Sequence, residues 1–162
     1  MNSPIDAGAM LGGRFRLNHK MREGGMGSIW HGFDTKFQKA VAIKVVRNSG
    51  REASPEAIER FRREARTTAQ LDSANVVTII DFDVDEESNS PFIAMELLQG
   101  QDLGEFLQSH GSLSLPTCRQ VLKEICAGVA AAHASGVIHR DLKPSNIFIT
   151  RSDGEDIRAK VL

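Results

Sequence analysis

Apolar and polar positions alternate over the first part of the chain and then change period. Phe15 and Leu17 stand at alternate places within Arg14 to Met21, and Ser28 to Phe33 follows a glycine cluster. Ala40-Val41-Ala42-Ile43-Lys44-Val45-Val46 is a compact apolar run with one lysine in it. Three such segments joined by short turns predict an antiparallel meander. Residues 1–12 lack periodicity and read as a loose lead-in. Residues 54–71 carry a helical period. Ser54 caps, Pro55 and Glu56 open the first turn, and Ile58, Phe61, Ala65 and Thr68 or Ala69 mark one face. Arg60, Arg62, Arg63 and Arg66 fill most of the remainder. Strands return at Val76 to Phe82 and Phe92 to Leu97, separated by a solvated loop over 83–90 that lacks the glycine-centred spacing of a calcium loop.

Beyond residue 102 the period is helical. Asp102 to Ser109 reads as a short helix ended near Gly111. Ser114 caps a longer one over 115–134, with Cys118, Val121, Leu122, Ile125, Cys126 and Val129 on one face and Gly136 at its end. Val137 to Asn146 is polar and charged. Two short strands, Ile147 to Thr150 and Ile157 to Leu162, flank a turn at Arg151-Ser152-Asp153-Gly154. Strands, one helix, strands and then helices with a small hairpin make an α+β pattern, β-rich first and helical second.

Composition narrows the classes. The 162 residues set a prior of about one domain. With 20 basic and 21 acidic residues the formal net charge is -1, so no general polyanion-binding surface follows, and nucleic acid is not an expected partner. No apolar run reaches the roughly 18 residues of a spanning helix, and the N-terminus lacks the basic and apolar regions of a secretory signal. A cytoplasmic domain without membrane contact from this segment is the expectation. Cys118 and Cys126 lie about 12 Å apart on one helix, too far for a disulfide.

Three features carry candidate chemistry. Glu23-Gly24-Gly25-Met26-Gly27 lies between two strands, where a glycine-rich hairpin lets backbone N–H groups approach a phosphate. No helix follows directly, which argues against a dinucleotide fingerprint, and no Gly-Lys-Ser/Thr is present for a Walker loop. Lys44 sits in an apolar strand. It belongs either on the solvent face of an edge strand or beside an anion and a carboxylate, for which Glu64 is a candidate next to the helix's inward stripe. Finally, His139-Arg140-Asp141-Leu142-Lys143-Pro144-Ser145-Asn146 gathers five chemically versatile side chains between Val137-Ile138 and Ile147-Phe148-Ile149. A solvated turn rarely has apolar flanks on both sides.

That loop resembles the catalytic loop of protein kinases, H-R-D-L-K-x-x-N. The resemblance runs from about Arg14 to Leu162 and includes, in order, the glycine loop, V-A-I-K, the helix glutamate, the hinge and the catalytic loop. The wording Gly-Gly-Met-Gly and Arg60-Phe61-Arg62-Arg63-Glu64-Ala65 is most similar to the eukaryotic-like serine/threonine kinases of bacteria. The fold so implied is α+β and protein-kinase-like. Residues 13–97 would form a β-rich, ATP-binding N-lobe with one helix, and residues 98–162 the hinge and the first, mostly helical part of the C-lobe. The activity implied is transfer of the ATP γ-phosphoryl group to Ser or Thr of a protein, with Mg²⁺.

By the same resemblance Asp141 would accept the substrate hydroxyl's proton, and Lys143 would neutralise charge on the transferred group. Asn146 would ligate Mg²⁺. Lys44 would hold the α- and β-phosphates, fixed by Glu64, under the backbone of Gly24, Gly25 and Gly27. Ile29 and Ala42 would cover the adenine, with Met95 behind it, Glu96 and Leu98 at its edge and Asp102 on the ribose. His139 would be a packing residue, and Arg140 would meet a phosphorylated activation loop. Two departures stand out. Arg22 occupies the place of the first loop glycine, and the chain reaches Leu162 just before the expected Asp-Phe-Gly. The resemblance therefore implies a partial kinase domain. The alternative is a non-catalytic nucleotide- or partner-binding module.

Overall fold

The computed structural model describes residues 5–25, 27–47, 54–151 and 157–162. These fall into two compact units. The first takes its residues from Met1–Ala69 and Ile79–Leu97, the second from Gln70–Thr78 and Leu98–Leu162. Met26 of the glycine loop and the predicted turn residues Ser152, Asp153 and Gly154 lie outside the described residues.

The first unit is a six-stranded antiparallel sheet with one helix. Strands β1 (Met10–Leu11), β2 (Phe15–Gly24), β3 (Gly27–Asp34), β4 (Lys39–Val46), β5 (Ile79–Val84) and β6 (Pro91–Glu96) run in the order β1-β2-β3-β4-β6-β5. Helix α1 (Pro55–Ala69) packs on β5 and β6. Alternation along β3 and β4 sends Trp30, Val41, Ile43 and Val45 to one face, where they close a core with Leu11, Phe15, Leu17, Phe92 and Ala94. The lead-in is not loose over its described part. Leu11 is buried, Gly8 N donates to Leu17 O and Leu17 N donates to Ala9 O, so the segment is stitched to β2.

Arg14 ties this unit together. Its guanidinium meets both oxygens of Asp34 at 3.0 and 2.7 Å and Asp81 at 2.6 Å. Asp34 is 0% exposed, and the arginine, helped by the Phe37 and Lys36 N–H groups, lowers its carboxyl to about 2. The loop over 83–90 is less solvated than the sequence suggests. Asp85 is buried and accepts hydrogen bonds from Gly12 N and from the N–H and Oγ–H of Ser88.

The second unit holds α2 (Leu103–His110), α3 (Leu115–Ala134), a short 3₁₀ turn at Pro144–Asn146, and a three-stranded sheet of β7 (Gly100–Asp102), β8 (Ile147–Arg151) and β9 (Ile157–Val161). Ser114 caps α3, accepting from Thr117 N at 3.3 Å. Phe106, Val121, Ile147, Ile149, Ala159 and Val161 form its core. Three expectations are corrected here. The continuous strand Val76 to Phe82 does not form. Val76 bridges Val161 in this unit and Val77 N donates to Val161 O, so β5 begins only at Ile79. Strand β7, unmarked by apolar alternation, exists because it pairs with β8. On α3, Leu122 and Cys126 are exposed, and the inward positions are Val121, Glu124 and Gly128. Both cysteines are free.

Candidate active site

In the first unit the glycine hairpin joins β2 and β3, with Gly24 paired to Gly27. Gly27 has φ +142°, and a Cβ there would stand 2.0 Å from Val45 O, so only glycine fits against β4. Gly24 and Gly25 are exposed and face open space. Arg22 does not break the hairpin. After a bulge it pairs with Ile29 in the ladder. Glu23 bridges Lys20 and Arg47, at 2.9 and 3.0 Å, and these cations hold its carboxyl below the usual range.

Register gathers several sequence-predicted residues on one face of the sheet. Ile29 lies opposite Lys44 and Ala42 opposite Met95, with two-residue spacing between Ala42 and Lys44. This is the face turned away from the core residues Val41, Ile43 and Val45. Lys44 is partly buried and is therefore not on a fully solvated edge. Glu96 ends β6, opposite Val41. The expected ion pair between Lys44 and Glu64 is not made. Glu64 is exposed and α1 turns Ala65 inward, which leaves the neighbouring Glu64 carboxylate toward solvent.

The second unit carries the densest cluster. Lys143 Nζ lies 2.8 Å from Asp141 Oδ2, and Asn146 Nδ2 donates to the same oxygen at 3.0 Å and to Asp141 O at 2.8 Å. Lys143 first, then Asn146, hold the Asp141 carboxyl below its ordinary range. His139 takes part on both sides. Its Nδ1 accepts from Asp141 N at 3.2 Å, so Nε2 carries the proton donated to Leu162 O at 2.9 Å. Arg140 has φ +62°, a strained place for a residue with a Cβ, costing on the order of 1–2 kcal/mol. The flanking bonds of His139 and Asn146 hold the turn there.

Sequence order and fold explain the convergence. Pro144 starts a 3₁₀ turn in which Asn146 N donates to Lys143 O, curling Asn146 back under Asp141. Asn146 spends Nδ2 on Asp141, through both its Oδ2 and its backbone O. Asn146 Oδ1 is a hard oxygen of the kind that Mg²⁺ takes. Among the described residues there is no cluster of three or more His, Cys, Asp or Glu that could hold a metal.

Leu98 is half-buried at the start of the second unit. Asp102 departs from its expected place on a ribose. It is 4% exposed and its Oδ1 caps α2, accepting from Glu105 N at 2.9 Å, so the helix start claims this carboxylate. Two residues escaped the sequence reading. Met21 is an exposed apolar side chain at the β2 bulge beside the glycine hairpin, and Glu124 is a buried carboxylate in the middle of α3. For Glu124 the available signal was its spacing: it follows Val121 by three and precedes Gly128 by four, on the inward stripe.

The second unit thus holds a carboxylate, an ammonium and an amide in one loop, and the first unit a glycine hairpin and a strand lysine. The chain belongs to the protein kinase domain family, whose pattern matches residues 15–161. It is 39% identical over 146 residues to the serine/threonine-protein kinase PknA of Mycobacterium tuberculosis, covering 88% of this chain and 34% of that protein. It is 37% identical over 150 residues to the serine/threonine-protein kinase Pkn1 of Myxococcus xanthus, covering 93% of this chain and 21% of that protein. The chain thus spans about a third or less of the length of these curated relatives. In fold it is similar to the crystal structure of a cysteine-to-alanine mutant of the Mycobacterium tuberculosis PknI kinase domain, with TM-score 0.79 and 22% identity, covering 98% of this chain and 62% of that one. Among the described residues no helix is long and apolar enough to cross a membrane.

Proposed function

We propose that this chain supplies the nucleotide-binding and catalytic-loop residues of a serine/threonine protein kinase that transfers the γ-phosphoryl group of ATP to a protein hydroxyl. The observation that carries this reading is the Asp141–Lys143–Asn146 cluster, in which one carboxylate oxygen meets both an ammonium and an amide N–H.

Asp141 accepts the proton of the substrate Ser or Thr hydroxyl as that oxygen bonds to the γ-phosphorus. The bond from the γ-phosphorus to the β,γ-bridging oxygen breaks, and ADP leaves. Lys143 and Asn146 favour the ionised form of Asp141, which is the form that can accept the hydroxyl hydrogen. Lys143 is close enough to exchange its ion pair with Asp141 for the charge gathering on the transferred oxygens. Asn146 Oδ1 would hold Mg²⁺, which when bound neutralises phosphate charge. Gly24, Gly25 and Gly27 offer backbone to the phosphates, Lys44 a cation to them, and Ile29, Ala42 and Met95 an apolar face to the adenine, with Glu96 and Leu98 at its edge.

The experiment is phosphotransfer by the protein in its full natural length. Labelled ATP and a panel of Ser- and Thr-containing proteins should give phosphoserine or phosphothreonine in the wild type. The same label in Asp141→Asn would remove the reading.

A further inference from the structure

Glu124 has 5% of its surface exposed and takes no part in the loop chemistry proposed above. Three donors surround its carboxylate. Gln120 Nε2 reaches Oε1 at 2.6 Å from one turn earlier on α3, Arg158 Nη1 reaches the same oxygen at 3.0 Å, and Ala159 N donates to Oε2. A carboxylate this deep requires such partners, and they are charge-assisted bonds, stronger than neutral ones. Two of the three come from β9, so the carboxylate is a grip on that strand at one defined residue.

The position gripped leads to the loop. Leu162, three residues along from Ala159, is stitched to the loop twice. Its O accepts from His139 Nε2 at 2.9 Å, and its N donates to Asn146 O at 2.9 Å. Its neighbour Val161 N donates to Asn75 O, and Asn75 Nδ2 donates to Ala159 O at 3.1 Å, holding the other edge of β9. Helix α3 reaches this edge because residue 128 is glycine. A Cβ there would lie 2.5 Å from Asn75 O. Pairing with β8 sets the register of β9, and the bond from Ala159 N–H to Glu124 adds a fixed point on the edge that β8 does not pair. A slip at Ala159 would displace Leu162, and with it both ends of the loop.

We propose that Glu124 is a positioning residue for the catalytic loop, acting through β9 and Leu162 to place His139 and Asn146 and hence the Asp141 carboxylate. This deepens the kinase reading and rests on it for the loop's role. The test reads geometry directly, by nuclear magnetic resonance on this protein and its Glu124→Ala, Glu124→Gln and Val121→Ala variants. Val121 is a buried neighbour on α3 that bonds to nothing in β9, so Val121→Ala reports loss of packing alone. Glu124→Ala should speed amide exchange at Ala159 and Leu162 by about tenfold or more. It should also move the His139 imidazole nitrogen and Asn146 side-chain amide resonances. Glu124→Gln, which keeps an acceptor oxygen, should show the same changes at smaller amplitude, and it carries the test if Glu124→Ala does not fold. Val121→Ala should lower the unfolding temperature and leave both resonances in place. Unmoved resonances in both Glu124 variants, or equal movement in Val121→Ala, would overturn the proposal. None of these readouts needs turnover, so an inactive wild type would remove the kinase reading alone.

Discussion

Asn146 Nδ2 lies 3.0 Å from Asp141 Oδ2 and 2.8 Å from Asp141 O, so one amide group clamps both the side chain and the backbone of the carboxylate residue. The clamp leaves the amide oxygen on the opposite side, and it makes the loop a single unit whose parts can be tested separately.

Asp141→Asn keeps the shape of the loop but removes the proton acceptor. In the full natural protein kcat should fall by about 10²–10⁴-fold with the KM for ATP little changed. Steady-state phosphotransfer at saturating ATP checks this, and circular dichroism of the variant should match the wild type.

Lys143→Met should change the pH profile as well as the rate. Lys143 is the main cause of the lowered Asp141 acidity range, so its loss moves that group upward toward the ordinary carboxylate value. The acid limb of kcat against pH, which reflects protonation of Asp141, should move to higher pH in the variant. An unchanged limb would separate the observed ion pair from the titration.

Asn146→Ala frees the Asp141 carboxylate and deletes the amide oxygen that fits Mg²⁺. Activity should drop and be partly recovered at raised Mg²⁺, with half-saturation in Mg²⁺ shifted up by about tenfold or more. Titration of phosphotransfer against MgCl₂ at fixed ATP measures the shift.

Asp34 should govern acid stability of the first unit. Its carboxyl lies at about 2 in the folded protein, below its ordinary 3.8. The stabilisation is fully present above pH 4 and is lost as pH falls from about 4 to about 2, because the unfolded chain takes up the proton first. Allowing for solvent screening around Arg14, on the order of 1–2 kcal/mol is at stake. Asp34→Asn should flatten the dependence of unfolding temperature on pH in that window.

The two hairpin glycines should respond oppositely. Gly27→Ala places a Cβ against Val45 O and forces φ +142° on alanine, and should destabilise by more than about 2 kcal/mol. Gly24→Ala meets open space, and should leave stability within about 0.5 kcal/mol while raising the KM for ATP. Chemical denaturation and ATP titration of the two variants separate the contributions.

The motif residues could be recognised from linear order because they lie close together in sequence. Asp141, Lys143 and Asn146 lie within six positions, and the Pro144 turn curls Asn146 back toward Asp141. The strands of the meander were legible for a similar reason: period-two alternation reports which face each side chain takes, and short turns leave antiparallel pairing as the simple solution. The boundaries that failed were those set by distant partners. Val76 and Val77 look like strand residues of the first unit, but their hydrogen bonds go to Val161. Asp102 looks like a free carboxylate, and the helix that follows it uses the charge as a cap.

Glu124 marks the same division most sharply. Its place on the inward stripe is the one local sign, and its meaning depends on Arg158 and Ala159, 34 and 35 positions away. Short-range order along the chain was enough to reveal the kinase motifs, because each is a pattern of residues close together in sequence. Which polar groups end up inside, and therefore which must be paired, follows from how α3 and β9 pack, and that became visible only once the chain was folded.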